Sequence, residues 1–181
     1  GLAALADVAR LTAPPTSRDL GFALGPRINA GGRIGEAGLG TRLLSTHCPE
    51  EAAALAERLE GLNRDRRGIE AEVLAAATLQ VEQRDPAAPL VWAAGEGWHP
   101  GVVGIVASRL KEQFNRPAVV IALGPEQGQG SGRSVPGIDL GASVAALAAE
   151  GWLVKGGGHA MAAGLTVAPG SVAPAMERLA A

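Results

Sequence analysis

A chain of 181 residues, 47% apolar but only 3% aromatic, can bury one good core or two small ones, built from Ala, Leu, Val and Ile. Its formal charge of −2 excludes attraction to nucleic acid through an overall positive field and leaves only a local basic patch for that purpose. The single cysteine, Cys48, excludes an internal disulfide, and no run approaches the roughly 18 to 20 apolar residues of a membrane-spanning helix, so a cytoplasmic location without a membrane partner is the default expectation.

Residues 2–10 carry apolar side chains at helical spacing, and the start within a helix, without an initiator Met, reads as a segment of a longer protein. Two prolines in residues 12–16 break that pattern, and residues 19–24 lead into a first glycine string. Residues 38–44 predict a short helix. Pro49 followed by Glu50 and Glu51 predicts the start of a longer one, with proline in the first turn and acids near the positive end of the dipole. Its apolar stripe runs through Leu55, Leu59, Leu62, Ile69 and Val73 to about residue 84, long enough for a connector between domains. Gly61 and Gly68 are expected to kink or break it. The alternating charges on it, Glu60 and Arg64 among them, predict a solvated face with intrahelical ion pairs.

From Pro86 the texture becomes α/β. A strand at 90–94, a helix at 101–114 and a strand at 117–123 make a βαβ unit with a parallel crossover. A short strand at 130–134, a helix capped by Asp139 and running through Glu150, a strand at 165–167 and a helix at 173–179 follow. The expected fold is therefore α/β, a small mixed β-sheet flanked by helices, preceded by a long connecting helix and a helical remnant of another domain. The corresponding divisions are residues 1–49, 50–85 and 86–181.

Three glycine-rich strings point to phosphate: residues 25–33, residues 130–134 and residues 156–164. Each sets bare backbone beside cationic or hydroxyl side chains, and glycine lets main-chain N–H groups approach an anion that arginine clamps. In the second, a strand would place Ser131 and Arg133 on one face; the alternative is a turn with a solvated arginine. The third permits close backbone approach and a helix start with free N–H groups, His159 at its edge. Residues 98–109 join the first α/β strand to its helix, where His99 either donates to a phosphate or caps the turn. Asp7, Asp19, His47, Asp65 and Asp85 are scattered, which predicts no catalytic metal site in these residues, and Cys48 beside Pro49 reads as a small apolar filler.

These strings, in this order and with the long helix between the first and second, resemble the RecJ family of single-strand-specific 5′ to 3′ DNA exonucleases. The resemblance covers nearly the whole chain. Residues 25–33 look like the end of the family's catalytic DHH domain, residues 50–84 like its connecting helix and residues 88–168 like its DHH-associated domain. It implies a hydrolase of bacterial DNA repair and recombination in which an upstream DHH domain binds manganese or magnesium and the strand threads between the two domains. By carry-over Ser131, Gly132, Arg133 and Ser134 contact phosphates near the 5′ end. Arg27, Asn29 and Arg33 line the other side of the cleft, with His99 adjoining, and Gly157, Gly158 and His159 border the active centre. The implied partners are single-stranded DNA, the upstream DHH domain, a downstream oligonucleotide-binding-type domain and a single-strand binding protein. The DHH motif and the metal-binding aspartates are not among these residues, so the chain alone is expected to bind weakly and cut nothing.

Two further readings stay open on the sequence. One is a DHH-family phosphodiesterase acting on short oligoribonucleotides or cyclic dinucleotides. The other is a non-catalytic nucleic-acid-binding accessory domain, like the glycine-rich modules of alanyl-tRNA synthetases.

Overall fold

The structure, a computed structural model, describes residues 1–181 and divides into two compact units, Gly1–Ile69 and Glu70–Ala181. The division falls inside one helix, whereas the sequence reading set a separate connector at residues 50–85.

The first unit is helical: α1 (Leu2–Val8), α2 (Ser17–Asp19), a π-helical turn (Leu20–Leu24), α3 (Gly25–Ile34), α4 (Leu39–Ser45) and the first half of α5 (Pro49–Glu82). Its core joins Leu5, Leu24, Leu39, Leu43, Leu55 and Leu59. The first glycine string is helix rather than an anion-cradling loop. Within it Gly31 serves close packing, because a Cβ there would lie 3.3 Å from Leu59 Cδ2; Gly40 of α4 does the same against Ile28, 2.7 Å from Cγ2, whereas Gly32 faces open space. The expected break in α5 does not occur, because 34 residues run unbroken through Gly61 and Gly68. Both glycines face open space, and their helix-propensity penalty of about 1 kcal/mol each is spread over many intrahelical bonds. Glu60 is not paired with Arg64; it takes Arg27 across the helix pair. Cys48 is exposed, not filling a core, and its thiol donates to Glu50 beside the start of α5.

The second unit is a five-stranded mixed sheet of order β1-β2-β3-β5-β4. The strands are β1 (Val91–Glu96), β2 (Ala118–Leu123), β3 (Gly128–Arg133), β4 (Lys155–His159) and β5 (Ala162–Val167). β1 and β2 are parallel, joined through α6 (Pro100–Phe114); every other pair is antiparallel. The string at residues 156–164, expected to open a helix, is instead the β4–β5 hairpin. Alternate glycines let one strand pack tightly on its underside and lie bare on top, a pattern with the strand period of two.

The two sides of the sheet differ. Below it, α7 (Leu140–Ala149) and α8 (Val172–Ala180) close a core with Val119, Ile121, Ala163, Leu165 and Val167. Above it, α6 packs on β2 and β3, burying Val102, Val103, Val106, Ala107 and Leu110. β1 is an outer strand, and α5 protects its edge: Gln80 Nε2 donates to the Ala94 carbonyl at 2.8 Å while the Ala94 N–H donates to Gln80 Oε1 at 3.1 Å. One side-chain amide thus stands in for a neighbouring strand.

Candidate nucleic-acid interface

Sheet register decides which side chains share a face. Ser131 pairs with Gly164, which pairs with Gly157; Arg133 pairs with Ala162, which pairs with His159. Paired residues point the same way, so Ser131, Arg133, Gly157, Gly164 and His159 occupy one side of the sheet. That side is the one α6 covers only in part. A Cβ added to Gly104 of α6 would lie 3.0 Å from Arg133 Nη2 and 3.1 Å from Ser131 Oγ, whereas Cβ atoms on Gly157 and Gly164 would meet nothing within 4 Å. The helix therefore stops at β3, and the hairpin beyond it presents peptide backbone to solvent.

The intervening glycines answer to the opposite side. A Cβ on Gly132 would lie 2.7 Å from Leu140 Cδ2, one on Gly130 2.6 Å from Leu165 Cδ1, and one on Gly156 2.7 Å from Val144 Cγ1. Gly132 is buried, and its contribution to the upper side is its carbonyl alone. Gly158 approaches the β5 backbone closely: a Cβ there would meet the Ala162 carbonyl oxygen at 2.3 Å. The start of α7 is pressed against the same place, because a Cβ on Gly141 would lie 2.8 Å from the backbone of Gly158 and His159.

Arg133 is fixed in place. Its Nη1 donates to Ser131 Oγ at 3.0 Å and to the Gly132 carbonyl at 2.7 Å, so the guanidinium lies along its own strand beside the hydroxyl. A planar fork held this way has its rotamer already chosen. His159 is exposed on β4, two strands away across Ala162, about 10 Å by inter-strand spacing. Together they make an open face floored by glycine, with the Arg133 guanidinium at one margin and the His159 imidazole at the other.

Other predicted residues are placed differently. Ser134 is buried, and its hydroxyl donates to the Ile138 carbonyl at 2.9 Å, so it fixes the turn after β3 and does not share the open face. His99 caps α6, its Nδ1 accepting from the Gly101 N–H at 3.0 Å; that bond places the ring proton on Nε2 when the imidazole is neutral. Arg27, Asn29 and Arg33 lie on α3 in the first unit. Asn29 and Arg33 are exposed one turn apart, on one side of the helix. Arg27 is occupied: it pairs with Glu60 and donates to the Ala23 carbonyl at 2.7 Å, its side chain 15% exposed. The sequence reading missed Gln129, Lys155 and Thr166, which share the face with Ser131 and Arg133. The signal was present in the strand period of two, but it needed the β3–β5–β4 pairing to be read.

No group of three or more His, Cys, Asp or Glu side chains is gathered anywhere in the chain.

Comparison with known proteins sets this geometry among relatives. Residues 66–181 match the DHHA1 domain model. A single-stranded-DNA-specific exonuclease RecJ from Dickeya dadantii is 43% identical over 175 residues, covering 92% of this chain and 30% of the relative. The chain thus spans under a third of that curated relative's length. Among solved structures, RecJ from Thermus thermophilus in complex with Mg2+ is 34% identical with a TM-score of 0.86, over 98% of this chain and 27% of that one. An exonuclease RecJ bound to manganese is similar at 34% identity and a TM-score of 0.81, over 97% of this chain and 43% of that one. By the match over its C-terminal 116 residues, which hold the whole sheet and all three helices packed on it, the chain belongs to the DHHA1 domain family.

Proposed function

We propose that this chain is the strand-holding part of a single-stranded-DNA-specific 5′ to 3′ exonuclease of bacterial DNA repair and recombination. The observation that carries the reading is the shared open face of Ser131, Arg133, Gly157, Gly164 and His159. A terminal phosphate seats against the Arg133 fork and the Ser131 hydroxyl, with the glycine backbone of β5 and β4 letting the strand lie close. The relatives' names, single-stranded-DNA-specific exonuclease, support the substrate class. A divalent ion, Mg2+ or Mn2+ as in the related structures, supplies the chemistry that activates water in the whole enzyme. This chain's residues do not fit such an ion, and no hydrolytic step is assigned to them. That ion belongs to an upstream DHH domain, and a downstream oligonucleotide-binding-type domain and a single-strand binding protein are the further partners. The cytoplasm is the location of this work.

The test is fluorescence anisotropy with a 5′-phosphorylated oligothymidylate and a duplex of equal length. The chain is expected to prefer the single strand, and Arg133→Ala to weaken binding at least tenfold, as the loss of a charged hydrogen-bond clamp of about 1.5 to 3 kcal/mol requires. Unchanged affinity in that variant would remove the central contact and with it the reading.

A further inference from the structure

The open face continues past Ser131 into a groove that runs on from the terminal-phosphate seat. Three cross-strand rows follow one another along it. The first is His159, Ala162 and Arg133; the second Gly157, Gly164 and Ser131; the third Lys155, Thr166 and Gln129. Successive rows are two residues apart, about 6.6 Å. The groove over the second and third rows has a volume of about 500 Å3, and Lys155, Gln129, Gly157 and Gly164 are among the residues that line it. Lys155 is exposed, its backbone paired with Thr166 of β5 and its ammonium in no ion pair. The cationic ends and bare middle suit a polyanion laid lengthwise, with α6 blocking the other half of the face. From two rows and two strand spacings, the Lys155 and Arg133 Cα atoms are roughly 16 Å apart, a separation that lets head groups standing off the sheet hold different phosphates of one strand.

We propose that Lys155 is a second phosphate subsite, holding the strand beyond its first nucleotide, with the amide of Gln129, across Thr166 in the same row, meeting base or sugar beside it. This rests on the reading of Arg133 as the terminal-phosphate seat. The residue types agree with a site that tracks any sequence. A lysine ammonium is a point charge with rotatable donors, able to follow a flexible backbone, and a glutamine amide both donates and accepts, so no base edge is refused.

The experiment compares thymidine 5′-monophosphate with 5′-phosphorylated hexathymidylate, titrated onto the full chain at several salt concentrations. Lys155→Ala is expected to weaken the hexamer about three- to tenfold and to flatten the slope of log K against log salt by about 0.7, one single-strand phosphate contact. The monophosphate is expected to bind it as it binds the parent chain, Lys155→Arg to restore the hexamer, and Arg133→Ala to weaken both ligands. If Lys155→Ala leaves hexamer affinity and slope unchanged while Arg133→Ala weakens both ligands, the second subsite is wrong and the first stands. Equal losses for the two ligands in Lys155→Ala would place the lysine at the first phosphate and overturn the proposal. If the parent chain binds neither ligand, both readings fall together.

Discussion

Two glycines eight residues apart in the chain, Gly156 and Gly164, should respond to substitution with opposite signs, and the contrast tests the face assignment on which the functional argument stands. At Gly164 a Cβ meets nothing within 4 Å and the backbone is ordinary extended strand. Valine there replaces the residue least suited to a strand with one of the best, which is worth about 0.5 to 1 kcal/mol. For a protein of this size that corresponds to a rise of about 2 to 4 °C in melting temperature per kcal/mol. The same branched side chain stands in the floor of the groove between Ser131 and Gly157, where a strand must lie close. Single-strand affinity is expected to fall at least tenfold, about 1.4 kcal/mol. At Gly156 a Cβ would lie 2.7 Å from Val144 Cγ1, 3.0 Å from Leu153 Cδ1 and 3.2 Å from the Val144 carbonyl oxygen. Alanine there must push α7 from the sheet, an overpacking cost of about 1 to 3 kcal/mol. Thermal and urea denaturation, read beside anisotropy with a 5′-phosphorylated oligonucleotide, separate the two effects. A Gly164→Val chain that is stabilised and binds at full strength would show that the glycine face is not the seat. A Gly156→Ala chain as stable as the parent would show that the faces have been exchanged.

Arg27→Ala is expected to destabilise the first unit by about 1 to 3 kcal/mol, because it leaves the partly buried Glu60 without its cation, while single-strand affinity changes less than twofold; a large loss of binding in a stably folded variant would return Arg27 to the phosphate-contacting set. At the other helix pair, the Thr46 hydroxyl and then Arg42 hold the Glu51 carboxyl below the usual carboxylate range, and the Cys48 thiol does the same to Glu50. A carboxylate depressed in the folded chain contributes stability that is present above its unfolded pKa and disappears as pH falls through the folded value. The start of α5 should therefore loosen in acid, seen as Glu51 and Glu50 side-chain resonances titrating below the ordinary glutamate range together with faster amide exchange at residues 50–53, and normal carboxylate titration would refute the pairing.

Much of the second unit was legible because its elements carry separate periods. The unbroken apolar run of residues 117–123, the Asp139 cap and the apolar spacing of residues 101–114 each pointed to the element that formed, within a residue or two. The glycine strings were less transparent. Glycine has no side chain to betray which face it serves, so residues 25–33 and 156–164 looked alike in sequence although one became a close-packed helix and the other a hairpin. Only tertiary packing separates a glycine that admits Leu59 from one left bare to solvent. Ser134 illustrates the same limit at the site. It follows Arg133 by one position, and the strand ends between them, so its hydroxyl turns inward to a carbonyl that no local pattern announced. Lys155 went unnoticed because its relation to Arg133 passes through two strand pairings distant in sequence.

The amide bridge from Gln80 to Ala94 ties solubility to the integrity of a helix end. While the last turns of α5 stay wound, the outer margin of β1 has no spare donor or acceptor at that point to offer another molecule. Should those turns fray, the vacated peptide groups would become a template on which a foreign extended segment could grow, so the far end of the long helix works as a guard against self-association as well as a strut.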